Sequence, residues 1–190
     1  VVVDPLSVSM ARLPNGNIVA TWSGSDPVNG DCDIAYRIFD RQGNPVGVEH
    51  QADDDSQVQG TDLASRVAVL ADGSFVVTWQ STYGAFNDIL AQRFDQNGAK
   101  TGPVFQVNTS TGVDEMASIA ANGNGFVIVW RSTTGPDQLD IYAQRFDAAG
   151  EKLGVEFQVN TDPGALLAAF DARPAVASLG ADGFVVTWDV

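Results

Sequence analysis

The segment Phe75-Val76-Val77-Thr78-Trp79 puts Phe75, Val77 and Trp79 on one side of an extended chain and Val76 and Thr78 on the other. Neither side is strongly polar, which predicts a strand covered on both faces. The pattern recurs as NIVATW, FVVTW, FVIVW and FVVTW, closing at Trp22, Trp79, Trp130 and Trp188 with spacings of 57, 51 and 58 residues. A glycine turn precedes each: Asn15-Gly16, Asp72-Gly73, Asn122-Gly123 and Asp182-Gly183. Asn-Gly or Asp-Gly between β-rich runs predicts a type I′ hairpin, because both central residues of that turn need positive φ. Downstream come DIAYRIFDRQGNPVG, DILAQRFDQNGAKTG and DIYAQRFDAAGEKLG, which share D-I-x5-D-x2-G-x3-G. Here the second Asp is placed to cap a type I turn that ends on a left-handed glycine. FQVNT follows two of these blocks (Phe105 to Thr109, Phe157 to Thr161), whereas the first block is followed by His50-Gln51-Ala52.

Self-similarity at 50 to 60 residues marks a repeat architecture. Each repeat reads as four short strands, near Val67–Leu70, Phe75–Trp79, Ile89–Phe94 and Val104–Val107 in the second copy. Four-stranded antiparallel sheets stacked in series predict an all-β, β-propeller-like array of about 3.5–4 blades, with a β-sandwich as the alternative. The chain is one repeat domain over 1–190, with repeats at approximately 5–62, 63–115 and 116–171 and a partial one at 172–190. A lone strand at Val1–Val3 precedes the first repeat, and two chains could complete a ring as a homodimer.

A meander puts its tight turns at one end of every sheet and its remaining connections at the other. Those connections are approximately Ser23–Asp31, Asp53–Asp62, Ser81–Asn87, Asn108–Glu115, Ser132–Leu139 and Thr161–Asp171. They are rich in aspartate and hold no Lys or Arg, a concentration of charge that invites a cation. Calcium is the expected cofactor, since its ligands are carboxylate, amide and carbonyl oxygens. The best local metal candidate is Asp26 with Asn29, Asp31 and Asp33, although the EF-hand spacing is not matched. Tyr83, Phe86 and Asp137 are the ligand-binding candidates, because an exposed aromatic face beside carboxylates suits a sugar ring. The tryptophans share a face with Phe75 and Val77 and are expected in the core.

Composition narrows the classes further. With 44% apolar residues and no glycine period, the chain is neither disordered nor collagenous. No apolar run approaches the length of a membrane-spanning helix, so membrane insertion is not expected. A formal charge of −14 repels nucleic acid and anionic lipid. Cys32 is the single cysteine and cannot form an intrachain disulfide. The single histidine, His50, stands in the place of Phe105 and Phe157, which argues against Ser-His-Asp, Cys-His and His-rich metal chemistry. Paired carboxylates for glycoside cleavage are the catalytic route that this composition leaves open.

The blocks FVVTWQS (Phe75 to Ser81), DIYAQRFD (Asp140 to Asp147) and EFQVNT (Glu156 to Thr161) resemble a repeat of very large secreted bacterial proteins of the RTX, or hemolysin-type calcium-binding, class. The resemblance implies export through a C-terminal signal outside this segment, a calcium-rich exterior and a role in adhesion or as a passenger module. The G-G-x-G-x-D nonapeptides of that class are absent from this sequence. The expectation is therefore a non-catalytic adhesion or scaffolding module of an extracellular bacterial protein. Its partner would be a cell-surface or extracellular glycan or protein. A carbohydrate-binding propeller lectin is the alternative, and a glycan-active enzyme comes third.

Overall fold

The computed structural model describes residues 8–25, 30–53, 60–83, 86–109, 111–135, 138–161, 173–180 and 183–189. Among these, β1 (Ser9–Arg12), β2 (Ile18–Ser25), β3 (Cys32–Phe39) and β4 (Pro45–Gln51) pair in chain order as an antiparallel meander. The next blade repeats it with β5 (Thr61–Val69), β6 (Phe75–Tyr83), β7 (Phe86–Phe94) and β8 (Phe105–Gln106). The third has β9 (Val113–Asn122), β10 (Gly125–Gly135), β11 (Gln138–Phe146) and β12 (Phe157–Gln158). Finally β13 (Ala175–Ser178) and β14 (Phe184–Thr187) form a two-stranded sheet.

The alternation seen in the sequence becomes the packing between blades. Phe75, Val77 and Trp79 join Leu13, Val19, Ile34 and Tyr36 in the layer between the first and second blades. Val76, on the opposite face, joins Ala117, Phe126, Ile128 and Trp130 between the second and third. Val127 and Val129 then pack toward Val176, Phe184 and Val186. Trp79 and Trp130 are fully buried, as expected of core residues. Trp22 and Trp188 are only half-buried, because they lie at the first and last sheets of the stack. The first strands β1, β5, β9 and β13 touch in series and form an inner wall, while β4 is exposed along its whole length. Serial stacking of this kind is a β-propeller and not a two-sheet sandwich.

Two local expectations are corrected. Gly16 and Gly73 donate their N–H groups to the carbonyls of Leu13 and Leu70, and φ is positive at these glycines but not at the residues before them. These are type I turns closed by a left-handed glycine, not type I′ turns. The predicted connections Ser81–Asn87 and Ser132–Leu139 are largely strand, since β6 runs to Tyr83 and β7 begins at Phe86, while β10 and β11 meet across two residues. The second and third strands of these blades therefore stand as a continuous hairpin.

Candidate functional site: an acidic rim

The recurring D-I and F-Q-V-N motifs turn out to be one device. Asn108 Oδ1 accepts the N–H of Ile89, and its Nδ2 donates to Asp88 Oδ1, which also accepts from Gln106. Asn160, Asp140, Gln158 and Ile141 repeat this clamp in the third blade. It ties the last strand of a blade to its third strand, where the ladder between them is only two residues long. Asp88 and Asp140 are thus structural acceptors that open the third strand.

A second device crosses from blade to blade. Asp114, fully buried at the start of β9, accepts the Trp130 indole N–H at 3.0 Å and the Asn108 amide at 2.8 Å. A bulge turns it inward: Met116 has φ of 55°, and the β9–β10 register shifts beside it. Asp62 and Trp79 are the equivalents in the second blade, with the same bulge at Ala64. The sequence carried a signal for this pair, because Asp62, Asp114 and Asp171 precede Trp79, Trp130 and Trp188 by 17, 16 and 17 residues. Asp171 lies outside the described residues.

Functional chemistry is best sought where the blades depart from one another. The first departure is Asp53, which caps the Ile34 N–H as Asn108 and Asn160 cap theirs but is a carboxylate. Beside it, burial pushes the Asp62 carboxyl up to about 7, and the nearby charges of Asp53 and Asp33 add to the effect. Ser81 and Trp79 flank Asp62 and oppose the shift, yet Asp62 Oδ1, Ser81 Oγ and Trp79 Nε1 close no hydrogen bond. The second departure is Glu115 on β9, which pairs with Arg131 and accepts from Asn87 of the preceding blade at 2.7 Å. Asp62, Asp114 and Glu115 thus occupy the same end of neighbouring inner-wall strands.

The predicted site residues fare unevenly. Asp31 and Asp33 lie at the start of β3, while Asp26 and Asn29 fall outside the described residues. Among the described residues no three His, Cys, Asp or Glu side chains are grouped to hold a metal ion. Phe86 is 52% exposed, and its backbone pairs with that of Tyr83 at the tip of the β6–β7 hairpin. Asp137 lies outside the described residues. His50 is exposed and stacks on Tyr36, with ring centroids 5.4 Å apart. A concavity lined by Val69, Leu70, Ala121 and Ser178 opens at the tight-turn end, away from this rim.

The fold and rim define a β-propeller with carboxylates gathered at one end of its inner wall. Neither a family model nor a curated protein matches the sequence. Solved structures do match the fold. The endo-arabinase of Bacteroides thetaiotaomicron superposes with a TM-score of 0.62 at 12% identity, over 96% of this chain and 69% of that one. The GH43 endo-arabinanase of Bacillus licheniformis gives 0.53 at 12%, over 95% and 72%. The α-L-arabinofuranosidase of Lactobacillus brevis gives 0.51 at 12%, over 83% and 55%. The expectation of a non-catalytic adhesion or scaffolding module is overturned here, because the structures that share this architecture are glycoside hydrolases, and none of these neighbours supports the alternative of a lectin. No helix among the described residues is long and apolar enough to cross a membrane.

Proposed function

We propose that the chain is part of a glycan-active enzyme whose acidic rim cleaves a neutral polysaccharide by acid–base chemistry. One observation carries the reading: two buried carboxyls in equivalent positions of neighbouring inner strands sit in opposite environments. Asp62 holds its proton to about pH 7, as a proton donor to a glycosidic oxygen must. Asp114 accepts hydrogen bonds at both oxygens from groups that can only donate. In this reading Asp62 is the acid, and Glu115, held by Arg131 and Asn87, is the charged partner that faces substrate. Phe86 offers an apolar ring for a sugar face at the hairpin tip.

The charge of −14 disfavours anionic glycans and leaves neutral ones, such as arabinan or xylan, as the substrate class. An extracellular bacterial setting, implied by the repeat resemblance, fits a polymeric substrate. Reducing-sugar release from arabinan, xylan and mannan tests the proposal. Turnover is expected on at least one neutral polymer, with a loss of about 100-fold or more in Asp62→Asn. Absence of turnover across the neutral panel, or an Asp62→Asn variant of undiminished activity, would overturn it.

A further inference from the structure

Comparing the blade junctions position by position isolates a single replacement of large consequence. At the junction between the second and third blades, Asn108 sits between two carboxylates and donates to both, Asp88 at 2.9 Å and Asp114 at 2.8 Å. At the junction between the first and second, Asp53 takes the place of Asn108, Asp33 that of Asp88, and Asp62 that of Asp114. An ionised carboxylate has no N–H to give. A hydrogen bond from position 53 to position 62 can therefore exist only if a proton lies between the two carboxyls. Two further features mark the junction as rewired. Gln51 turns its amide to Asp53 Oδ2 at 3.3 Å, whereas Gln106 and Gln158 serve Asp88 and Asp140. Asp62 Oδ1 is buried and closes no hydrogen bond, with the residue only 5% exposed.

We propose that Asp53 is a positioning residue that keeps a proton on Asp62, so that this blade junction, unlike the next, holds a carboxylic acid at neutral pH. The groups facing Asp62 are Asp53 beyond β4, Asp33 on β3, and Trp79 and Ser81 on β6. Lys100, from the turn before β8, reaches the main-chain carbonyl of Asp53 with its ammonium at 2.6 Å. The raised titration of Asp62 toward pH 7 agrees with this arrangement. The inference deepens the reading of Asp62 as proton donor and rests on it for the catalytic consequence. The proton itself can be observed without any substrate.

The experiment is a carbon-13 carboxyl titration of the whole chain, with the Asp62 signal assigned by its loss in Asp62→Asn. The wild-type signal is expected to titrate near pH 7. In Asp53→Asn, which restores the donor amide, its midpoint should fall by about 2 units. Asn108→Asp provides the converse, since it builds the same three carboxylates at the next junction and should raise the titration of Asp114 well above the ordinary aspartate range. This second variant keeps the inference testable if Asp53→Asn fails to fold. An Asp62 midpoint in the ordinary aspartate range, an unchanged midpoint in Asp53→Asn, or no new high titration in Asn108→Asp would each overturn it. So would a midpoint that millimolar calcium lowers to the ordinary range, because the junction would then hold a cation and not a proton. A high Asp62 midpoint in a chain with no glycan turnover would sink the enzymatic reading and leave the protonated Asp62 standing.

Discussion

Replacing Asp62 by asparagine should change how stability depends on pH, by an amount that the burial of its carboxyl sets. The wild-type carboxyl titrates near 3.8 when unfolded and is raised to about 7 by burial in the fold. Below the unfolded value it is protonated in both states, and the neutral carboxyl makes its full contribution to the folded state. Between the two values the folded chain keeps a proton that the unfolded chain releases, so stability falls as pH rises. Once pH has passed about 7 the loss is complete. A difference of about 3 units corresponds to about 4 kcal/mol. In a chain of this size that is roughly 8–16 °C in Tm. Asparagine has no proton to lose, so the stability of Asp62→Asn relative to wild type should climb by about this amount between about pH 4 and pH 8. Urea unfolding of both proteins across that range measures it, and the difference cancels every group the two share. A flat difference would refute the raised titration. A difference that falls with pH would mean that the fold prefers the ionised carboxylate, contrary to the reasoning.

Other perturbations probe the remaining links. Trp130→Phe should cost about 1–3 kcal/mol more than Trp79→Phe in urea unfolding, because only the Trp130 indole closes a hydrogen bond to its buried aspartate. Gly125→Ala should destabilise by about 3 kcal/mol and lower Tm by several degrees, since an added Cβ would lie 2.0 Å from the Phe146 carbonyl oxygen. Tyr36→Phe removes the 2.5 Å hydrogen bond to the Gly98 carbonyl that ties the first blade to the second, and should cost about 1 kcal/mol. Because burial and then Asp95 raise the Tyr36 phenol to about 12, the wild type should lose stability between about pH 10 and 12, and the phenylalanine variant should lack that loss.

The four-stranded repeat, burial on both faces of its central strands and the core placement of Trp79 and Trp130 were legible from the alternation of Phe75, Val77 and Trp79 against Val76 and Thr78. Trp22 and Trp188, at the first and last sheets, are only half-buried. Strand period and turn glycines are local properties, and local sequence encodes them directly. The placement of Asp62, Asp114 and Glu115 at one end of their strands was equally readable, because a meander assigns its connections to ends by parity alone. The motifs D-I and F-Q-V-N were visible as a recurrence without a reason. Only the fold shows that Asn108 and Gln106 clamp Asp88 across a ladder too short to hold by itself.

Tertiary structure decided the chemistry of the rim. In the sequence Asp53, Asp62, Asp114 and Glu115 look alike, as acidic residues in polar connections. Packing separates them: one replaces an amide donor, one is buried without closing a hydrogen bond on Oδ1, one accepts from a tryptophan, and one is held by an arginine. Desolvation and partner geometry set the protonation of a carboxyl, and both depend on residues distant in sequence that meet only when one blade closes on the next.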